Sequence, residues 1–206
     1  MNIITKKITD LLLIPLLLLV FAPAIAQVNH TPQSPQFKNF SNQLAQINLS
    51  FNFPEGFKEI KAVNTESLPF DYAMEIPGAD FEIWFRVNTQ KDNEKLVADK
   101  NLHITNPDSL YVGVAQDQIG GFSSDKNYLK RRLPHYILDR YNADAGSTYL
   151  LNLDDSPLTR HYKYALMIVL QKNHAGTVLA ICFTNEKGAE FFKNMNEASN
   201  CLKFKD

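Results

Sequence analysis

The chain has 206 residues, of which 21 are Lys or Arg and 22 are Asp or Glu, so its formal net charge is −1. A chain this close to neutral has no long-range field with which to collect nucleic acid or an anionic membrane, and we predict no nucleic-acid partner. The length and the ordinary composition correspond to one globular domain that can bury a core without crosslinks.

Residues 1–26 contain the three parts of a secretory signal peptide. Lys6 and Lys7 supply the positive start, an apolar run covers residues 11–22, and an Ala-Ile-Ala cleavage site ends at Ala26. Prolines interrupt the apolar run, which is shorter than the roughly 20 residues needed to cross a bilayer. The sequence therefore predicts cleavage near Ala26 and a periplasmic or secreted protein that keeps no stable membrane span.

Residues 27–47 are predicted to lead into the domain. Their first ten residues are polar and contain two prolines, which is typical of an extended tether. A short helical patch follows, because four apolar residues recur at helical spacing: Phe37, Phe40, Leu44 and Ile47. With no internal repeat and no further break in composition, residues 48–206 are predicted to form a single domain.

Alternation of apolar and polar residues predicts three strands in the first part of this domain. The first covers residues 49–53, and a second is predicted at 72–76. A turn at 77–80 leads into the third strand, at 81–88. One face of the third strand carries Phe81, Ile83, Phe85 and Val87, and the other carries Glu82, Trp84, Arg86 and Asn88. Such alternation suits an antiparallel sheet with one face on the core.

Capping residues and apolar runs place the later elements. Asn106 followed by Pro107 is a helix start, and this helix is predicted to stop at Gly120. Pro134 begins the next helix, since a proline inside a helix costs about 3 kcal/mol. The remaining predictions are strands at 149–153, 164–170 and 177–184, a helix at 187–197 and a closing strand at 202–204. This order predicts the α+β class, with an antiparallel sheet flanked by helices.

A resemblance to the Mog1/PsbP-like domains is carried by this order of elements and by residues 48–57, Asn-Leu-Ser-Phe-Asn-Phe-Pro-Glu-Gly-Phe. Within them, Phe51, Pro54 and Phe57 resemble the turn that ends the first strand in that family. Three further segments are similar to those of small exported bacterial proteins of unknown function: 106–111, 141–146 and 199–204. The resemblance implies an α/β/α sandwich with a non-enzymatic accessory or binding role, and it carries no catalytic residue.

The motifs of the common enzyme classes are missing from the sequence, which has no Gly-x-Ser-x-Gly, His-Glu-x-x-His, phosphate-binding loop or Cys-x-x-Cys. The alternative to a binding module is a small envelope hydrolase or metal-binding protein that uses Asp154, Asp155 and His161. A turn explains the two aspartates as well, and Ca²⁺ needs more oxygen ligands than this run offers. His135 and Asp139 form either an acid–base pair or a surface contact. No cofactor is predicted.

Cys182 and Cys201 are the only cysteines, and two interpretations of them stay open. An even number in an oxidising compartment favours a disulfide. The bond needs Cα atoms within about 7 Å, whereas parallel strands joined by a crossover helix would place the two residues near opposite ends. Otherwise they pack as small buried hydrophobes, with apolar neighbours that keep the thiols unreactive.

Trp84 and Arg86 are the candidate binding residues. They share the polar face of the third strand, and Trp and Arg are enriched at binding hot spots. If a helix covers that face, Trp84 belongs instead to a second layer of core.

A basic run around the start of the Pro134 helix is a second surface of interest. It comprises Lys126, Lys130, Arg131, Arg132, His135 and Arg140. The run either docks an acidic partner, an anionic glycan or lipid head groups, or is a solvated face of the protein.

Together these features predict an exported, non-catalytic binding or assembly module that acts in the cell envelope. The prediction follows from the missing catalytic motifs, the near-zero net charge and the fold resemblance. The expected partner is another protein or an envelope component.

Overall fold

The computed structural model describes residues 34–66, 68–98, 106–124 and 128–206. The predicted signal peptide lies outside these ranges and stays a prediction. The helices within them are α1 (Pro35–Gln46), α2 (Gln90–Ala98), α3 (Tyr111–Gly120), α4 (His135–Tyr141) and α5 (Ala189–Ser199). The strands are β1 (Leu49–Phe51), β2 (Lys58–Ile60), β3 (Tyr72–Glu75), β4 (Glu82–Thr89), β5 (Leu129–Arg132), β6 (Ala145–Asn152), β7 (Tyr164–Lys172), β8 (Gly176–Thr184) and β9 (Leu202–Phe204). None of the described helices has both the length and the apolar character that crossing a bilayer requires.

Seven of the strands form one antiparallel sheet in the order β2-β3-β4-β8-β7-β6-β5. At its centre, β8 pairs with β4 on one side and along its whole length with β7 on the other. Every residue of β8 is buried, as expected of a strand with layers on both faces of the sheet. β1 and β9 form a separate two-stranded sheet, so the predicted closing strand is present but does not join the main one.

A hydrophobic core lies on each face of the seven-stranded sheet. On one face, residues such as Phe85 of β4 pack with α1, α5 and the β1–β9 pair. On the other face, Trp84 packs with α3 and with Phe70 and Phe122 from the loops. The antiparallel sheet between helical layers confirms the predicted α+β class, and the two faces of β4 are divided as the alternation predicts.

The predicted start of the domain at residue 48 is too late, because α1 belongs to the folded core. Ser34 caps this helix, its Oγ accepting a hydrogen bond from the helix backbone at 2.9 Å. Phe40 and Leu44 are buried, and the Phe40 ring stacks on Tyr72 with the ring centroids 4.8 Å apart. The helix itself agrees with the predicted helical patch that starts at Phe37, whereas most of the residues predicted as a tether lie outside the described ranges.

Three elements have no counterpart among the sequence predictions: β2, α2 and β5. All four residues of β5 are exposed, so this strand lacks the alternation by which half-buried strands are predicted. β2 is only three residues long, and α2 follows β4 with no residue between them. The helix start at Asn106 is confirmed with a break, since this residue caps a 3₁₀ turn at Pro107–Ser109 and α3 begins at Tyr111.

Cys182 and Cys201 are free thiols in this structure. The first lies in β8 and the second directly precedes β9, and both are buried in the core that α1 covers. Burial raises the pKa of both thiols, which keeps them protonated and unreactive. Of the two interpretations that the sequence allows, the structure has core packing and no disulfide.

Candidate functional site

A polar cleft lies where β4 continues past the end of β3. The last pair between the two strands joins Tyr72 to Phe85, so β4 runs on from Arg86 to Thr89 without β3 beside it. The cleft has a volume of about 460 Å³, within the range of roughly 300–1,000 Å³ that is usual for ligand pockets. Its walls are formed by Pro69, Asp71, Arg86, Val87, Asn88, Asp92 and Lys95.

Two carboxylates replace the missing strand along this edge of β4. Asp71 Oδ2 accepts a hydrogen bond from the backbone N–H of Val87 at 2.7 Å. Asp92 Oδ2 accepts two from Thr89, one from the backbone N–H at 3.3 Å and one from the hydroxyl at 2.7 Å. Backbone N–H groups that leave water need such partners. Both acids are therefore committed to the strand edge.

Burial changes the pKa values of the charged groups in the cleft. It raises the pKa of Asp71, although two accepted hydrogen bonds and the charge of Arg86 oppose the shift. It lowers the pKa of Arg86, opposed by nearby carboxylates, and a guanidinium still stays protonated. For Asp92, burial is outweighed by hydrogen bonds from Thr89 and by Lys95, so its pKa lies below the ordinary value.

We expect Asp71 to make the folded protein less stable as the pH rises. A carboxyl whose pKa is higher in the folded chain binds more protons there, so stability falls as the pH climbs from the ordinary pKa through the raised one. Asp71→Asn removes this titration. The free energy of unfolding of the wild type, minus that of the variant, should therefore decrease as the pH is raised from about 3 to 7, as measured by urea denaturation at each pH. Glu55→Gln, in an exposed turn, controls for the loss of a surface charge. A difference that grows with pH would contradict the raised pKa.

Arg86 and Asn88 contribute the unused polar groups of the cleft. Arg86 Nη1 donates to Gln118 Oε1 at 2.9 Å, which ties β4 to α3 and occupies one of the five N–H donors of the guanidinium. Asn88 is only 6% exposed, yet its Oδ1 has no hydrogen-bond partner in the described part of the chain. A buried acceptor without a partner costs about 1–3 kcal/mol. The cleft thus combines a cation that has donors to spare with an unpaired acceptor.

Unpaired amide groups continue into the helices that adjoin the cleft. Gln118 Nε2 in α3 is buried without a partner among the residues that the structure describes, as are Gln90 Oε1 and both polar side-chain atoms of Asn93 in α2. Folded proteins pair the great majority of such groups, so each one needs an explanation. None of these three residues lines the cleft, so their unpaired atoms do not indicate what the cleft binds.

Trp84 lies outside the cleft, and of the two places that the sequence allows for it, the structure has the second layer of core. The side chain is fully buried, and its Nε1 donates to Glu82 Oε2 at 2.8 Å. The ring of Phe183 packs against it with 4.4 Å between centroids, and the guanidinium of Arg160 lies 5.8 Å from the indole ring. Tertiary packing covers this face with α3 and the segment after β6, a point that alternation within one strand cannot decide.

The residues of the predicted alternative site do not converge. His161 Nδ1 lies 2.6 Å from Asp155 Oδ1, but both side chains are exposed. Asp154 binds elsewhere, accepting a backbone hydrogen bond at 2.7 Å from the loop before β5. His135 and Asp139 form another exposed pair, 3.0 Å apart. Among the residues that the structure describes, no group of three or more His, Cys, Asp or Glu could hold a metal ion.

The fold and the site define an antiparallel α+β sandwich with a polar cleft beside its fourth strand. No protein-family model matches the sequence, and no curated protein matches it. Among solved structures, the chain is similar to the solution structure of cyanobacterial PsbP (CyanoP) from Synechocystis sp. PCC 6803, with a TM-score of 0.38 and 10% sequence identity over 77% of this chain and 88% of that chain. A PsbP structure is thus among the similar ones, in line with the resemblance found in the sequence, and a likeness this distant carries no conclusion about function or ligand.

Proposed function

We propose that this protein is an exported, non-catalytic binding module of the cell envelope, and that the cleft beside β4 is its binding site. The observation that carries the proposal is the buried, unpaired Oδ1 of Asn88 in the same cleft as the Arg86 guanidinium. An unpaired acceptor destabilises the folded chain, and proteins keep such local conflicts mainly at functional sites. Export rests on the signal-peptide pattern of residues 1–26.

The free groups of the cleft define what a partner must offer. Arg86 and Asn88 are two residues apart on one face of a strand, a spacing of about 7 Å. A partner therefore has to accept a hydrogen bond from the guanidinium, and it reaches Asn88 Oδ1 only when this side chain turns toward the cleft, because the atom is covered in this structure. Asp71 and Asp92 add nothing to recognition, because β4 already uses them. A peptide segment presents C=O and N–H groups at comparable spacing, so we favour a protein over another envelope component.

Substitutions in the cleft should abolish partner capture without unfolding the protein. Arg86→Met removes the guanidinium and keeps an apolar stem, and Asn88→Leu replaces the amide by an apolar group of similar size. A photo-reactive residue at Lys95, whose side chain is exposed at the rim, should crosslink the partner in native envelopes. We expect at least tenfold less crosslinked product in either variant. Since Asn88 Oδ1 is unpaired, Asn88→Leu should be as stable as wild type or more stable in thermal unfolding followed by circular dichroism.

The matched control places the same photo-reactive residue at Lys193, which is exposed on α5. Equal capture from positions 95 and 193 would contradict the proposed site, and so would undiminished capture by both cleft variants. The intact mass of the protein from the same envelopes checks whether it starts at Gln27.

A further inference from the structure

Half of the basic run around the start of the Pro134 helix, namely Lys130, Arg131 and Arg132, lies on an edge strand, and Lys126 lies outside the described residues. β5 is the last strand of the seven-stranded sheet, and β6 is its one neighbour in the described part of the chain. Half of the backbone N–H and C=O groups of an edge strand point away from its neighbour. Such an edge is a ready template for one more strand.

The side chains of β5 leave this edge open on both faces of the sheet. All four residues of the strand are exposed, and Leu129 is 53% exposed although it is apolar. Tyr136, which follows shortly after the strand, is 70% exposed. Lys130 lies opposite Tyr149 of β6, and Arg131 lies opposite Thr148 on the other face. Neither layer of helices therefore covers the edge.

The three cations of β5 have no anionic partner in the described part of the chain. Lys130 Nζ lies 5.5 Å from the centroid of the Tyr149 ring. None of the ion pairs that the structure describes involves Lys130, Arg131 or Arg132. In a chain whose net charge is −1, these residues form a local positive patch that complements an acidic partner.

We infer that β5 binds an acidic, extended segment of a partner protein, which adds an eighth strand to the sheet. Main-chain hydrogen bonds hold such a segment, and its acidic side chains meet the cations of β5. A second copy of the chain fits less well, because pairing β5 with itself sets like charges opposite one another. The segment ahead of α1 fits no better, since residues 27–34 contain no Asp or Glu.

This inference goes beyond the proposed function and does not depend on it. The cleft lies at the junction of β3 and β4, whereas β5 is at the opposite end of the strand order. Substitutions at one surface therefore leave the other intact, and the two proposals can fail separately.

The test uses an eight-residue peptide of alternating valine and glutamate, compared with the corresponding valine–lysine peptide. We expect the purified protein to bind the glutamate peptide at least tenfold more tightly, measured by fluorescence anisotropy at low ionic strength. Lys130→Glu combined with Arg132→Glu should reverse this preference. Both side chains are exposed, so the thermal midpoint of that variant should stay close to that of wild type.

The control variant, Lys58→Glu with Lys203→Glu, reverses two exposed cations in β2 and β9 and should bind the glutamate peptide like wild type. Methylating every second backbone nitrogen of that peptide keeps its charge but removes N–H donors, and should weaken binding at least tenfold. Equal binding of the methylated peptide would mean attraction by charge without strand addition, which overturns the inference. The inference is also overturned if the glutamate peptide does not bind. It is overturned as well if β5 pairs two copies of the chain, or if the protein binds anionic vesicles but not the peptide.

Discussion

Replacing Trp84 by alanine is expected to lower the free energy of unfolding by about 3–5 kcal/mol. The indole ring lies 5.0 Å from the ring of Phe70 and 4.4 Å from that of Phe183, so truncation leaves a cavity between large side chains that cannot close it. The buried Glu82 carboxylate also loses the indole N–H, which among the described residues is the only donor to its Oε2. Trp84 is the single tryptophan of the chain, so its replacement removes the tryptophan fluorescence that usually reports unfolding. Urea denaturation should therefore be followed by circular dichroism.

Trp84→Phe separates the loss of packing from the loss of the hydrogen bond. It keeps most of the side-chain volume but removes the N–H, and we expect it to cost about 1–3 kcal/mol. Phe192→Ala is the surface control, since Phe192 is 42% exposed on α5, and it should cost less than about 1 kcal/mol. If Trp84→Ala behaved like this control, the side chain would not be packed in a second core layer.

Gly176→Ala is expected to destabilise the protein by about 3 kcal/mol or more. Gly176 begins β8 opposite Thr89, with a φ of 148° that residues bearing a Cβ rarely adopt. An added Cβ would collide with the carbonyl oxygen of Asn88 and would lie 2.7 Å from Ile47 Cγ2. β8 cannot move away from this contact without breaking its hydrogen bonds to the neighbouring strands. The costs of the backbone strain and of the steric overlap therefore add. The same urea denaturation measures the loss.

Two other glycines are matched controls, because an added Cβ at Gly188 or Gly113 would meet nothing within 4 Å. Gly188 has a φ of −100° and is the N-cap residue of α5, where alanine is less favourable than glycine, so Gly188→Ala should cost no more than about 1 kcal/mol. Gly113 lies inside α3, where alanine should stabilise the protein by about 0.5–1 kcal/mol. A value for Gly176→Ala as small as that for Gly188→Ala would refute the close approach of β8 to β4.

Much of the fold is predictable from local patterns. The alternation along β4 predicts both the strand and the division of its residues between two cores, because successive side chains of a strand point to opposite faces. The helix start at Asn106 is predictable because its side chain accepts a hydrogen bond from the backbone N–H of Asp108, a contact within the same turn. β5 has no such pattern, since an edge strand exposed on both faces needs no apolar residues in register.

The candidate site is predictable only in part. Arg86 stands out in the sequence as a charge on a strand beside Trp84, and it lies in the cleft. Asn88 is polar on the same face, a signal that marks the position but not its burial or its unpaired oxygen. Asp71 precedes a strand and carries no local signal, because its role comes from a hydrogen bond to Val87, sixteen residues away in the chain.

The sequence alone determined the period-two strands, the capped helix starts and the prediction of export, since each depends on residues within a few positions of one another. Only the tertiary structure decided that β4 extends past the first residue of β3, that Trp84 is covered and that three residues of the basic run lie in an edge strand. These features depend on register and packing between segments that are distant in the chain, such as Glu82 with Arg160. Local periodicity indicates which side chains share a face, and the contacts between segments determine what covers that face.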